Sequence, residues 1–194
     1  PPSMRVPPPP ASARVVWDEG MYLAPHHFQA QRRHFEESVA TAVAAPFPFA
    51  WGVSAAALDG EALANGTLAL ARAQGIFPDG TPFDLPAADP PPAPLALADH
   101  FSPAREAHVV HLVLPAWRDD AGNVHEPDDA GGEAAAFAGL AGATGLGEAA
   151  GAPRYLAVAR SVVDEASGRD AADVRFAAKN LALALDDALP DGAV

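Results

Sequence analysis

Proline and glycine punctuate this chain more heavily than any other feature in it. Twenty-one prolines and sixteen glycines fall within 194 residues. They argue against an all-helical fold, because proline removes a backbone donor and clashes inside a helix, while glycine costs the most entropy to order. Short strands joined by turns suit such a chain better. Hydrophobic content is 49%, yet aromatics supply only 7%. Alanine makes up much of the rest and buries little area, so the core is smaller than the percentage suggests. The length allows one sizeable core, or one core with a poorly ordered flank.

Charge narrows the partners. With 12 basic against 25 acidic residues, the formal net charge is −13. Nucleic acid and anionic membranes need clustered Lys and Arg, so neither is an expected partner. Eleven of the twelve basic residues are Arg, which fits a high-Ala, high-Arg coding bias. The absence of cysteine excludes disulfides, thiolate zinc sites, iron–sulfur clusters and a cysteine nucleophile. No apolar run reaches the roughly 20 residues of a membrane span, and the chain reads as soluble and cytoplasmic.

Along the chain, residues 1–13 read as an extended, disordered Pro-rich arm. Val15, Val16 and Trp17 predict a short strand or extended contact. Pro25 suits the first turn of a helix, where its missing N–H costs nothing. Ala24 is a poor cap, so packing must hold the helix start. Phe28, Phe35, Val39 and Val43 then form one apolar stripe of a helix running to about Ala45. Gln31 lies on the same stripe and would face a neighbour rather than open water. Pro46 to Phe49 ends the helix.

From Trp51 the pattern changes to strands, first on either side of a turn at 60–66. Pro78, Asp79 and Gly80, flanked by Phe77 and Phe83, predict a hairpin: Pro pre-sets φ and Asp-Gly tolerates left-handed geometry. Residues 85–97 read as a Pro-rich surface connection and 108–117 as a buried strand. A long flexible loop is expected over 119–153, with a short helix near 133–140. Two further strands, joined by a turn at 164–173, close the chain, and the alternation of Leu181, Leu183 and Leu185 predicts a half-buried strand. One helix followed by some six to eight strands indicates a mainly β, sandwich-like domain over 14–190.

Candidate chemistry is sparse. His27 and His34 lie seven residues apart, too far along a helix to ligate one ion, and His26 points about 100° from His27. His108 and His111, by their odd spacing, take opposite faces of a strand. The single lysine, Lys179, lies in a predicted strand beside Asn180, and no GxSxG elbow occurs. The paired aspartates at 119–120, 128–129 and 186–187 sit in turn-like surroundings. The glycine-rich run at 142–147 lacks a phosphate-loop lysine. No catalytic, metal or cofactor constellation emerges. Two other classes stay open: a carbohydrate- or receptor-binding sandwich, and a metal-dependent hydrolase using His26, His27 or His34.

Trp17, Met21, Tyr22, Leu23 and Phe28 instead offer the aromatic and apolar side chains that anchor protein interfaces. As a string, Trp17-x-Glu19-Gly20-Met21-Tyr22-Leu23-x-Pro25-x-His27-Phe28-Gln29 resembles the N-terminal signature of the TssK (ImpJ/VasE) family of type VI secretion baseplate subunits. The family carries Gln where this chain has His26. Further matches follow in order: Trp51-Gly52, "GIFPDGTPFDLP" from Gly75 to Pro86, "HVVHLVLP", "RYLAV" from Arg154, and "KNLALAL" from Lys179.

The resemblance implies an N-terminal shell domain, a β-sandwich like the shoulder domain of siphophage receptor-binding proteins, preceded by a helix. It implies a non-enzymatic homotrimer docked on the TssF–TssG wedge of the baseplate at the cytoplasmic face of the inner membrane. In the family a helical stalk and a head follow and reach the membrane complex through TssL and TssM, with sheath components as further contacts. This chain is expected to stop before them. On this reading Trp17, Glu19, Met21, Tyr22, Leu23, His27, Phe28 and Gln31 serve wedge docking or trimer contacts. Pro78, Asp79 and Gly80 serve a structural turn.

Overall fold

The computed structural model describes residues 13–98, 107–125 and 152–185. The expected arm (but for residue 13), the helix near 133–140 and residues 126–151 of the expected loop lie outside them. The chain is mainly β with a long N-terminal helix. In order come α1 (Pro25–Ala44), β1 (Gly52–Leu58), α2 (Gly60–Ala64), β2 (Thr67–Leu68), β3 (Leu70–Ile76) and β4 (Pro82–Leu85). Then follow β5 (Leu95–Ala96), β6 (Val110–Val113), β7 (Val124–His125), β8 (Tyr155–Val162), β9 (Ala172–Lys179) and β10 (Ala182–Leu185). The strands pair as β1-β3-β4, β2-β5, β6-β10 and β7-β8-β9. Among the described residues ten strands occur, above the expected six to eight, because three of them, β2, β5 and β7, are only two residues long.

Two compact units divide the chain: Pro1–Ser54 with Gln74–Phe83, and Ala55–Ala73 with Asp84–Val194. In the first, Phe77 and Phe83 are buried with ring centroids 4.8 Å apart, each side chain worth about 2–3 kcal/mol of burial. Gly75 lets the backbone of Gly52 and the Phe83 ring approach, since a β-carbon there would strike both. The turn between β3 and β4 closes by Phe77 N–H donating to Thr81 O at 2.8 Å and Gly80 N–H to Phe77 O at 2.9 Å. Asp79 Oδ1 accepts from Thr81 N–H at 2.9 Å. Gly80 has a φ of 87°, and an added β-carbon would lie 2.6 Å from Ala40 Cβ. Glycine is thus needed twice there, for its left-handed φ and for the close seat of α1 on the turn.

In the second unit the core gathers Leu68, Leu85, Leu97, Val113, Leu114, Leu156, Val158, Leu181 and Leu185. The sequence 60–66, read as a turn, holds the short helix α2. Asp59 caps it, its Oδ1 accepting from the N–H groups of Glu61 and Ala62 at 3.0 Å each, the usual role of Asp at a helix start. β10 is not half-buried as its leucine alternation suggested: adjacent Ala184 and Leu185 are both buried. Asp89, in the expected surface connection, is buried too, and the Nζ of Lys179 donates to both its carboxylate oxygens at 3.0 and 2.9 Å. Of the expected loop, residues 118–123 are tied by Asn123, whose Oδ1 accepts from Arg118 N–H at 2.9 Å and whose Nδ2 donates to Arg118 O.

β8 and β9 form an antiparallel ribbon running from Tyr155↔Lys179 to Val162↔Ala172. Its base is buried at Leu156, Val158 and Ala178; from Ala159 to Val162 and from Ala172 to Ala177 it is exposed. The turn is closed by Asp164, which takes Ser167 N–H at 2.6 Å.

Candidate functional site

The opening segment folds back on the start of α1. Asp18 to Met21 make a tight turn, with Met21 N–H donating to Asp18 O at 3.4 Å and Gly20 at a φ of 79°. That reversal lays the Trp17 ring on His27 and Phe28, with centroids 6.2 and 6.1 Å away. His27 also answers the missing cap at Ala24. With its proton on Nε2, His27 Nδ1 accepts from Ala24 N–H at 3.1 Å, while His27 N–H donates to Ala24 O at 3.0 Å. The helix start is therefore held by a side chain three residues in, as well as by packing.

α1 presents its faces in an unexpected sense. No residue of it is buried. The partly covered positions are polar or small: His27, Gln31, Arg33, His34, Glu37, Ala40, Thr41 and Ala44. The apolar stripe of Phe28, Phe35, Val39 and Val43 is exposed, Phe28 by 58% and Val39 by 63%. Before the helix, Tyr22 is 87% exposed, and Trp17 and Leu23 are exposed as well. Glu19 is exposed and Met21 partly covered. Large apolar side chains gathered on a surface mark an interaction site, whereas scattered ones do not. Here they follow one helix face and the segment leading into it.

Of the sequence-predicted site residues, Trp17, His27 and Phe28 meet in one aromatic cluster, while Tyr22 and Leu23 stand out from it into solvent. The turn residues Pro78, Asp79 and Gly80 lie beside α1 through Gly80. The two late motifs meet in the second unit: Asn180 N–H donates to Arg154 O at 3.0 Å and Asn180 Nδ2 to Pro153 O at 2.8 Å. Arg154 Nη1 donates to Pro115 O at 2.8 Å. These buried residues pin strands together; they do not form an exposed site. Asp89 was missed by the sequence reading. Its only signal was the solitary Lys179, which needs a carboxylate if it is to be covered. Among the described residues no group of three or more His, Asp or Glu could hold a metal ion, and no helix there is long and apolar enough to cross a membrane.

The chain is thus mainly β, with an N-terminal helix whose apolar stripe is exposed. The T6SS_VasE profile (bacterial type VI secretion; VC_A0110, EvfL, ImpJ, VasE) matches residues 27–194, and the chain belongs to that family. The type VI secretion system baseplate component TssK1 of Pseudomonas aeruginosa is 43% identical over 105 residues, 54% of this chain and 23% of that protein. A crystal structure of TssK superposes with a TM-score of 0.74 at 32% identity, covering 94% of this chain and 36% of the other. A chain of a TssK–TssF–TssG baseplate subcomplex seen by cryo-electron microscopy shares the fold, with a TM-score of 0.72 at 23% identity, covering 94% and 53%. The chain thus spans under a quarter of TssK1 and about a third of the crystallised TssK.

Proposed function

We propose that this chain is a non-enzymatic component of a type VI secretion baseplate. Its N-terminal turn, Trp17 to Leu23, docks on a TssF–TssG wedge, and the chain self-associates as a trimer at the cytoplasmic face of the inner membrane. The observation that carries the reading is the exposure of Tyr22, Leu23 and Trp17 at the head of a helix that buries none of its own residues. Aromatic side chains have few rotatable bonds, lose little entropy on binding and make good anchors. Family membership supplies the assembly, and the TssK–TssF–TssG subcomplex supplies the partner by analogy. Glu19 and Gln31 add polar contacts at the rim, while Met21 and His27 hold the turn from beneath. The β layers are read as a sandwich of the shoulder kind found in siphophage receptor-binding proteins.

Co-purification with the cognate TssF–TssG complex tests this. Wild-type chain is expected to elute with the complex, and a Tyr22→Ala/Leu23→Ala variant with unchanged circular dichroism is expected to elute alone. A folded wild-type chain that never associates with TssF–TssG contradicts the reading.

A further inference from the structure

Among the described residues, the distal half of the β8–β9 ribbon is a further exposed apolar surface. Directly paired residues of an antiparallel ribbon share a face. The face buried at Leu156↔Ala178 therefore continues through Val158↔Phe176 and Arg160↔Val174 to Val162↔Ala172. Phe176, Val174 and Val162 on it are exposed. A two-stranded ribbon without a covering layer is marginal in water, so this face calls for an occupant. Arg160, in the middle of it, is exposed and makes no ion pair among the described residues.

We propose that the occupant is α1 of a second copy of this chain, with the helix row Phe35, Val39, Val43 lying along the ribbon row Phe176, Val174, Val162. This deepens the trimeric part of the proposed function and rests on it. The rows match in length: eight residues of helix rise about 12 Å, and the ribbon from Ala172 to Phe176 spans about 14 Å. Charge matches as well. Glu36, one turn before Val39 on the edge of the stripe, is exposed and, among the described residues, pairs with Arg32 at 3.4 Å; it would meet Arg160.

The helix is poorly suited to pack on its own copies. Taking Phe28, Phe35 and Ala42 as one seam position puts Gln31 and Ser38 at the other, where a coiled coil needs apolar residues. A flat i, i+4, i+8 row fits a sheet face instead. The contact is heterologous, joining two different patches, and such contacts close into rings when the rotation permits. A closed ring would cover both surfaces on every copy.

The chain contains no cysteine, so single introduced thiols report the contact without background. Differently tagged Val39→Cys and Val174→Cys chains are co-expressed and oxidised. The inference expects a disulfide between the two tags and none when either variant is expressed alone. A disulfide from Val39→Cys alone, meaning helix on helix, overturns it. So does the absence of any disulfide in a chain that light scattering shows to be trimeric, or a chain that stays monomeric throughout. TssF–TssG binding that survives such a result overturns this contact alone and leaves the docking reading standing. As a second arm, Arg160→Glu is expected to weaken self-association about ten-fold and Glu36→Arg to restore it, a coupling in the range of close charge pairs at interfaces. An unchanged association constant in Arg160→Glu contradicts the proposed register.

Discussion

Lys179 Nζ sits between the two carboxylate oxygens of Asp89, at 3.0 and 2.9 Å, ninety residues away along the chain. The Lys179 backbone N–H adds a third bond to Oδ1 at 3.3 Å, and Asp84 N–H lies 3.4 Å from Oδ2. The carboxylate is 2% exposed and the ammonium side chain 16%, so water screens the pair little. Removing the lysine strands a buried charge, which typically costs about 3–5 kcal/mol. Lys179→Met is expected to lower stability by about 3 kcal/mol, and an Asp89→Leu/Lys179→Met pair to recover part of that loss. Urea unfolding midpoints at constant slope check both.

Gly80 carries the seat of α1. Gly80→Ala combines a left-handed φ with a β-carbon against Ala40, and is expected to cost about 2 kcal/mol. Asn tolerates that φ but still brings a β-carbon. Gly80→Asn is therefore expected to be nearly as damaging, and Ala40→Gly to relieve it in part despite the helix penalty of glycine. Thermal melts of the three variants decide whether the conformation or the contact dominates.

On the proposed reading the exposed stripe on α1 serves assembly and not the isolated fold. Val39→Asp, at an exposed position, is expected to change unfolding free energy by no more than about 0.5 kcal/mol. The same change is expected to abolish self-association measured by light scattering. A large loss of monomer stability would show that the stripe is covered within the chain itself.

The β8–β9 turn has a pH signature. The Ser167 hydroxyl and then its N–H hold the Asp164 carboxyl below the ordinary aspartate range, with Ala166 N–H adding to them. A carboxyl depressed in the folded state stabilises at neutral pH, and the contribution is lost as pH falls through its folded pKa. The Ser167 amide resonance is therefore expected to titrate with a midpoint below that of a free aspartate. Ser167→Ala is expected to move that midpoint upward, because it removes the largest of the three bonds.

The long helix α1 and the longer strands were legible because their periodicities are local, whereas the two-residue strands β5 and β7 fell in segments expected to be connections. Phe28, Phe35, Val39 and Val43 fix both the existence of α1 and its stripe, and Asp79-Gly80 fixes the turn. That the stripe is exposed was not legible, since a hydrophobic pattern does not say whether its own chain covers the face. The short helix α2 went unread because Gly60 and Gly66 outweighed Asp59 as a capping signal. Asp89 was hidden among prolines: its partner is ninety residues distant, and spacing carries no information about such a pair. His27 as a substitute cap required knowing its ring orientation, which sequence does not carry.

Amide hydrogen exchange across Arg14 to Ala44, in the chain alone and bound to TssF–TssG, tests the docking surface most directly. Segments with few buried contacts exchange readily when free and gain protection where a partner covers them. The account predicts that Trp17 to Leu23 exchange fast alone and become protected in the complex. Protection confined to the second unit, with Trp17 to Leu23 exchanging as fast as before, would contradict it.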